Sequence, residues 1–329
     1  MIVSKTPLRV SLAGGGSDIP NFYESHGGAV VSLAINKNVY IACHKLYSGG
    51  INLSYSKTER VIAPSEISHP LIRETLLALG FAGDVEIGSF ADIPASGTGL
   101  GSSSAFTVGL LNAMSTYMGK TLSAHELAEM ACDVEINRCG EPIGKQDQFA
   151  AAFGGVNLMR FSRKGNVEVE SLYSPRVASF LESTLMLFDL GFGRKASEIL
   201  ARQSEAMKEN DSIQRVVAIK NLVRPMVDAI VHADYVELGK IVHESWIQKR
   251  ELAQGVSNIQ IEEIHEHAMN SGALAAKVVG AGGGGFLLVV VRPDQKSDFR
   301  RKFKPIRELS FNVNETGSEV VFSDEDNEA

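Results

Sequence analysis

The spacing of apolar and polar positions predicts a mixed α/β chain. Residues 2–13 read as a strand, with Pro7 marking an edge position or a bulge because proline has no N–H to give to a ladder. Residues 29–46, rich in β-branched side chains, read as one or two strands. Gly49-Gly50 reads as a hairpin turn that returns the chain along residues 51–55. Residues 69–79 read as a short helix and 85–90 as a strand. Phe106, Leu110, Ala113 and Tyr117 are spaced four, three and four apart, which is one face of a helix. Residues 123–139 form a second well-marked helix, opened by Ser123 and Glu126 as a capping box. Val156–Phe161 and residues 167–172 read as paired strands. The pattern changes at Tyr173-Ser174-Pro175, which sets an expected division into 1–174 and 175–329. Beyond it come a buried strand at 185–190, a helical region to about Ala253 with Trp246 on its apolar face, and a helix at 258–271. A buried strand at 286–291 follows. The Glu and His residues of the 258–271 helix read as a solvated face, and the acidic end, 323–329, is expected to be disordered.

Three glycine-rich stretches interrupt this pattern. The first, AGGGSD, runs from Ala13 to Asp18 and follows the opening strand. Its carboxylate can accept hydrogen bonds from hydroxyls, or simply cap the helix that follows. The second, PASGTGLGSSSA, spans Pro94 to Ala105 between a strand and a helix. Backbone N–H groups of such a loop, with the unpaired N–H groups and partial positive charge of a helix N-terminus, make an anion cradle. It lacks the lysine of a Walker A loop, and its glycines run GxGxG rather than GxGxxG. A serine at the mouth of the cradle can offer oxygen to Mg²⁺; the plainer reading is a tight turn capped by Ser102. The third, GAGGGG at residues 280–285, stands directly before a buried strand, where so many glycines suit close approach of two backbones or of backbone and ligand. Between the second and third stretches, Asp147 sits in a largely apolar segment two residues after Lys145. A neighbouring cation can hold such a carboxylate in one orientation; an exposed ion pair is the equal alternative.

Composition narrows the class. A formal net charge of −7 argues against a partner held through nucleic-acid phosphates. No apolar run reaches the roughly 18–20 residues of a membrane span, and MIVSKTPLRV lacks the apolar core of a signal peptide. The three cysteines form no CxxC pair, so reduced thiols in a cytoplasmic protein are expected. Oligomeric state is not legible in these patterns.

The three stretches, in this order, resemble the motifs of the GHMP kinases, the superfamily of galactokinase, homoserine kinase, mevalonate kinase and phosphomevalonate kinase. The resemblance covers nearly the whole chain. It implies an α/β plus α+β architecture: an N-terminal domain like the second domain of ribosomal protein S5, then a ferredoxin-like domain, with the active site between them. ATP and Mg²⁺ are the implied cofactors. The backbone around Gly97, Gly99, Leu100, Gly101, Ser102, Ser103 and Ser104 would wrap the ATP phosphates, with Ser103 and Glu135 at Mg²⁺. Glu135 stands twelve residues before Asp147, the spacing that galactokinases show between Mg²⁺ carboxylate and catalytic aspartate. Asp147 matches that catalytic position and Arg9 the arginine that pairs with it. Gly14, Gly15, Gly16, Ser17 and Asp18 match the sugar-binding motif, and Gly282 and Gly283 the third motif. Galactokinases carry Glu and His where this chain has Gly15 and Gly16, so the site should admit a larger sugar. AGGGSD and GFGRKASEIL resemble bacterial D-glycero-D-manno-heptose 7-phosphate kinases; AGGGSD also resembles fucokinase domains. On charge alone, Arg138, Lys145, Arg194 and Lys195 are candidates to grip a substrate phosphate. The resemblance thus implies transfer of the ATP γ-phosphoryl group to the anomeric hydroxyl of a small-molecule sugar phosphate, with no nucleic-acid or membrane partner. The rivals are an L-fucose-type or other sugar 1-kinase and a catalytically silent sugar and ATP sensor.

Overall fold

The computed structural model describes residues 1–93, 97–193, 196–206 and 209–324. The chain opens with β1 (Ile2–Ala13), α1 (Pro20–His26), β2 (Gly28–His44), β3 (Ile51–Ser54), β4 (Thr58–Val61), α2 (Pro70–Leu79) and β5 (Val85–Ala91). It continues through α3 (Ser102–Tyr117), α4 (Ala124–Cys132), α5 (Gln146–Phe153), β6 (Val156–Phe161) and β7 (Val167–Ser171). The remainder is α6 (Pro175–Thr184), β8 (Leu185–Asp189), α7 (Ala196–Ala206), α8 (Asn210–Asn221), α9 (Val223–His232) and α10 (Tyr235–Arg250). Then come α11 (Ile259–Asn270), β9 (Ala275–Val278), β10 (Phe286–Val290), α12 (Lys296–Lys302), β11 (Arg307–Leu309) and β12 (Glu319–Ser323).

Among the described residues the strands form two sheets. The first has eight strands, with β12-β1-β2-β5-β3-β4 along its path and β6 and β7 attached through β2. The second is β11-β8-β10-β9, antiparallel throughout. β2 is a single strand of 17 residues. Its first part pairs with β6 and its last part with β5, while β1 runs along its other edge, so one long strand serves three partners. Pro7 sits at a register shift in the β1–β2 ladder, the bulge that a missing N–H allows.

β1 and β2 pack against α3 and α5 and also against α8 and α9. Burial on both faces explains why Leu8, Val10, Leu12, Val30, Val31, Leu33 and Ile35 are all buried and why the alternation of a half-exposed strand fades there. β12 pairs with the start of β1. The last described segment therefore joins the sheet that the first residues built.

Four expectations need correction. Gly49-Gly50 does not fold the chain back onto β2: β3 pairs antiparallel with β4 and parallel with β5. A glycine pair marks a reversal but cannot name the partner. The helix expected over 123–139 keeps its capping box but ends as α-helix at Cys132, and residues 133–138 form one π-helical turn. The 258–271 helix is not wholly solvated on its His and Glu side: the His265 ring stacks on Trp246 and His243. At the acidic end Ser323 closes β12 and the Asp324 N–H donates to Met1 O; residues 325–329 lie outside the described ones.

Candidate active site

Arg9 leaves β1 toward the first turn of α5. Its Nε donates to Asp147 Oδ1 at 2.7 Å and its Nη2 to Asp147 Oδ2 at 2.6 Å. Arg9 is 4 % exposed, so this two-pronged pair is shielded from water on the arginine side, where charge-assisted bonds are strongest. Nη1 donates to Gly99 O at 2.6 Å, and the Arg9 N–H to Leu100 O at 2.9 Å. One side chain thus ties the carboxylate to the glycine loop.

That loop turns into α3 at Gly101, whose φ of +74° lies in the left-handed region. A Cβ at Gly101 would stand 3.2 Å from Arg9 Cγ and 3.4 Å from Asp147 Oδ2. Gly101, not Ser102, is the residue flanking the helix, and no side chain caps it. The leading N–H groups of α3 are left available to a ligand. Ser102 instead meets Thr98, Oγ to Oγ1, at 3.1 Å. The third glycine stretch packs backbone on backbone against this loop. A Cβ on Gly285 would lie 2.5 Å from Thr98 O, and one on Gly280 only 2.4 Å from Gly99 Cα. These glycines are therefore a seam between the β9–β10 turn and the loop.

The π-helical turn carries Glu135 inward until it is fully buried. Its Oε1 accepts from Ser103 Oγ at 2.8 Å and its Oε2 from Gln148 Nε2 at 2.5 Å. Burial pushes its carboxyl up to about 7, against the pull of Ser104, Ser103 and Gln148; the nearby Asp147 adds to the rise. Gln148 Oε1 beside it is buried without a partner. A serine hydroxyl and a carboxylate under this glycine loop are hard oxygen donors of the kind that Mg²⁺ takes, an ion that uses few protein ligands and completes its shell from phosphates and water.

On the other side of Asp147 lies Asp18. It does not cap α1, whose N-cap is Ile19 with no side-chain bond. Its carboxylate accepts from Gly16 N at 3.0 Å, Gln146 Nε2 at 3.0 Å and Gln146 N at 3.2 Å. Burial, with the charge of Asp147 next, pushes the Asp18 carboxyl up, while the N–H donors of Gln146 and Gly16 pull it down. The three glycines before it divide by role. A Cβ on Gly14 would strike Ala29 O at 1.9 Å, whereas Gly15 and Gly16 have nothing closer than 3.4 and 3.9 Å. Gly14 is required by packing and Gly16 is favoured by its φ of +93°, while a Cβ on Gly15 or Gly16 would make only ordinary contacts.

Arg9, Asp147, Asp18, Gly15, Gly16, Gly97, Gly99, Gly101 and Ser102 to Ser104 all line one cavity of about 350 Å³. Other expected residues lie elsewhere. Ser17 faces inward, donating to Gly14 O and Ala29 O. Leu100 and Glu135 are buried behind the cavity wall. Gly282 and Gly283 pack against Val256. Lys145 donates to Gly165 O at 2.8 Å and lies 3.7 Å from Glu129, and Arg138 pairs with Asp133. Arg194 and Lys195 lie outside the described residues. The cavity also gathers residues that sequence reasoning passed over: Gly144, Gln146, Gln203, Lys249 and Lys277. Lys277 had a signal, a lone cation in the apolar run 275–279; Lys249, on a mixed helix, had none.

The N-terminal domain model of the GHMP kinases matches residues 70–155 and the C-terminal model residues 226–305. The chain is 31% identical over 312 residues to D-glycero-alpha-D-manno-heptose 7-phosphate kinase of Campylobacter jejuni, covering 90% of this chain and 91% of that one. It is 25% identical to an L-fucokinase/L-fucose-1-P guanylyltransferase of Bacteroides fragilis, over 92% of this chain and 36% of the longer relative. The crystal structure of a D-glycero-D-manno-heptose 1-phosphate kinase from Bacteroides thetaiotaomicron superposes with a TM-score of 0.80 at 26% identity, covering 98% of this chain and all of that one. With both family domains matched in order and a relative of 31% identity along nine-tenths of the chain, this chain belongs to the GHMP kinases and is an ATP-dependent kinase.

Proposed function

We propose that this chain transfers the γ-phosphoryl group of ATP to the anomeric hydroxyl of D-glycero-D-manno-heptose 7-phosphate, giving the 1,7-bisphosphate. The observation that carries the reading is the Arg9–Asp147 pair, set between the phosphate loop and the open floor of Gly15 and Gly16. The relative of known name that is 31% identical supports the choice of sugar. The two heptose kinases named above differ in where their substrate already bears phosphate, so the position must be measured.

Phosphoryl transfer depends on alignment and charge neutralisation more than on covalent chemistry by the protein. The N–H groups of residues 97–104 and the start of α3 receive the ATP phosphates. Ser103 and Glu135 are the residues that would hold Mg²⁺, which supplies neutralisation of phosphate charge when bound. Asp18 and the unpaired Gln146 Oε1 are placed to accept sugar hydroxyls. Asp147, fixed in orientation by Arg9, faces the acceptor hydroxyl and takes or orients its proton. In this reading residues 1–174 carry the phosphate loop and 175–329 close the site. The free thiols Cys43, Cys132 and Cys139 suit a cytoplasmic location. Among the described residues no helix is long and apolar enough to cross a membrane.

ADP release with ATP and Mg²⁺ tests the reading across a panel: the heptose 7-phosphate, the heptose 1-phosphate, the unphosphorylated heptose, L-fucose, galactose and mevalonate. The 7-phosphate should give the highest kcat/KM. A higher value with L-fucose would replace the substrate. ATP binding without acceptor-dependent ADP release would favour a sensor.

A further inference from the structure

Two lysines meet in the cavity wall contributed by the second half of the chain. Lys277, on β9, is 4 % exposed, and its Nζ crosses to Leu12 O at the end of β1, 2.6 Å away. Lys249, near the end of α10, donates to Val278 O at 2.9 Å and Gly280 O at 2.5 Å. An ammonium has three N–H donors. Two on Lys277 and one on Lys249 therefore have no acceptor among the described residues. Among the described residues no carboxylate offsets either charge. The groups felt by Lys277 are its own burial and Arg9, and those felt by Lys249 are burial, Lys277 and Arg9. Arg9 cannot relieve them, because Asp147 and Gly99 O already take its donors.

A buried cation without a counter-charge is costly. Burial, with the charge of Arg9 next, pushes the Lys277 ammonium down to about 7, and burial, then Lys277 and Arg9, push Lys249 well below its usual range. Such a pair fits a site completed by an anionic ligand. The ATP phosphates already have their donors on the loop of residues 97–104. Lys277, by contrast, is anchored at Leu12, directly before the turn that bears Gly15, Gly16 and Asp18. Both amines line the same cavity as those residues.

We propose that Lys249 and Lys277 form a clamp for a phosphate group that the sugar acceptor already carries, so that this kinase selects phosphorylated over neutral sugars. The inference rests on the sugar-kinase reading above and narrows it. It moves the phosphate grip away from Lys145 and Arg138, which are occupied by Gly165 O, Glu129 and Asp133.

The test is acceptor selectivity: kcat/KM for the heptose 7-phosphate divided by that for the unphosphorylated heptose. It is measured for the natural chain and for Lys249→Met, Lys277→Met and the charge-keeping Lys249→Arg. A bond to a charged group is worth roughly ten- to hundredfold in affinity. The Met variants should lose selectivity by about that factor through a raised KM for the phosphorylated acceptor, and Lys249→Arg should keep most of it. Melting curves identify a variant that has merely unfolded, and the Arg variant then decides. An unchanged ratio, or an equal loss of kcat with both acceptors, would overturn the clamp in favour of a structural role or one at the transferred phosphoryl group. If the natural chain prefers a neutral sugar, the heptose phosphate reading itself has failed. Inorganic phosphate then serves as the probe: competition with the acceptor that disappears in the Met variants supports the clamp, and competition that persists in them overturns it.

Discussion

Arg9, Asp147 and Gly101 meet in one close contact, the place where the proposed chemistry is centred. Two hydrogen bonds of 2.6–2.7 Å fix the carboxylate, and a methyl group on Gly101 would crowd Arg9 Cγ at 3.2 Å while just touching Asp147 Oδ2 at 3.4 Å. Gly101→Ala would impose a left-handed conformation costing roughly 1–2 kcal/mol and push Cβ toward the pair. The expected outcome is a loss of kcat of roughly tenfold or more in a protein that still folds, read from steady-state turnover beside a melting curve. Turnover like that of the natural chain would contradict the fit. At this scale the sequence was informative where a residue's type is unusual for its surroundings. Asp147 in an apolar segment and the glycines beside Asp18 could be singled out. Gln146 and Gly144 could not: the first matters because its amide reaches Asp18, the second because a Cβ there would lie 1.9 Å from Asp18 Oδ2.

Three short elements hold these residues in place, and they differ in how visible they were. The glycine turn before α3, and α3 itself, follow from glycine spacing and helical periodicity. The π-helical turn that buries Glu135 does not, because one extra residue per turn leaves no mark in composition; such turns recur at functional sites. The β9–β10 turn was visible as a glycine run, but its partner was not. It packs against the loop at Gly97 to Gly99, a pairing across nearly two hundred residues that local pattern cannot encode. The same limit misplaced the 49–50 reversal, where β3 pairs with β5 rather than β2. The seam makes its own prediction. Gly280→Ala would place Cβ 2.4 Å from Gly99 Cα at a φ of +64° and lift the turn off the loop. ATP affinity should fall by roughly tenfold, about 1.4 kcal/mol, in a titration of nucleotide alone. Unchanged affinity would mean that the loop holds its shape without the seam.

At the scale of the molecule, the eight-stranded and four-stranded sheets meet around the cavity, and each brings what the other lacks. The first sheet and its helices supply the glycine loop, Glu135, Asp147, Arg9 and Asp18. The second supplies Lys277, and α10 supplies Lys249. The mixed α/β and α+β architecture was legible because strand and helix patterns alternate through both halves of the chain. How the halves touch was not legible, since Lys277 reaches Leu12 O and β12 returns to β1 across most of the chain. The account as a whole depends on phosphoryl transfer taking place at Asp147. The most direct measurement is ADP release by Asp147→Asn with the heptose 7-phosphate, alongside the Kd for ATP on the same preparation. The account predicts turnover lower by roughly 10²–10⁴-fold with ATP binding retained. Turnover equal to that of the natural chain would contradict it and move the chemistry away from Asp147.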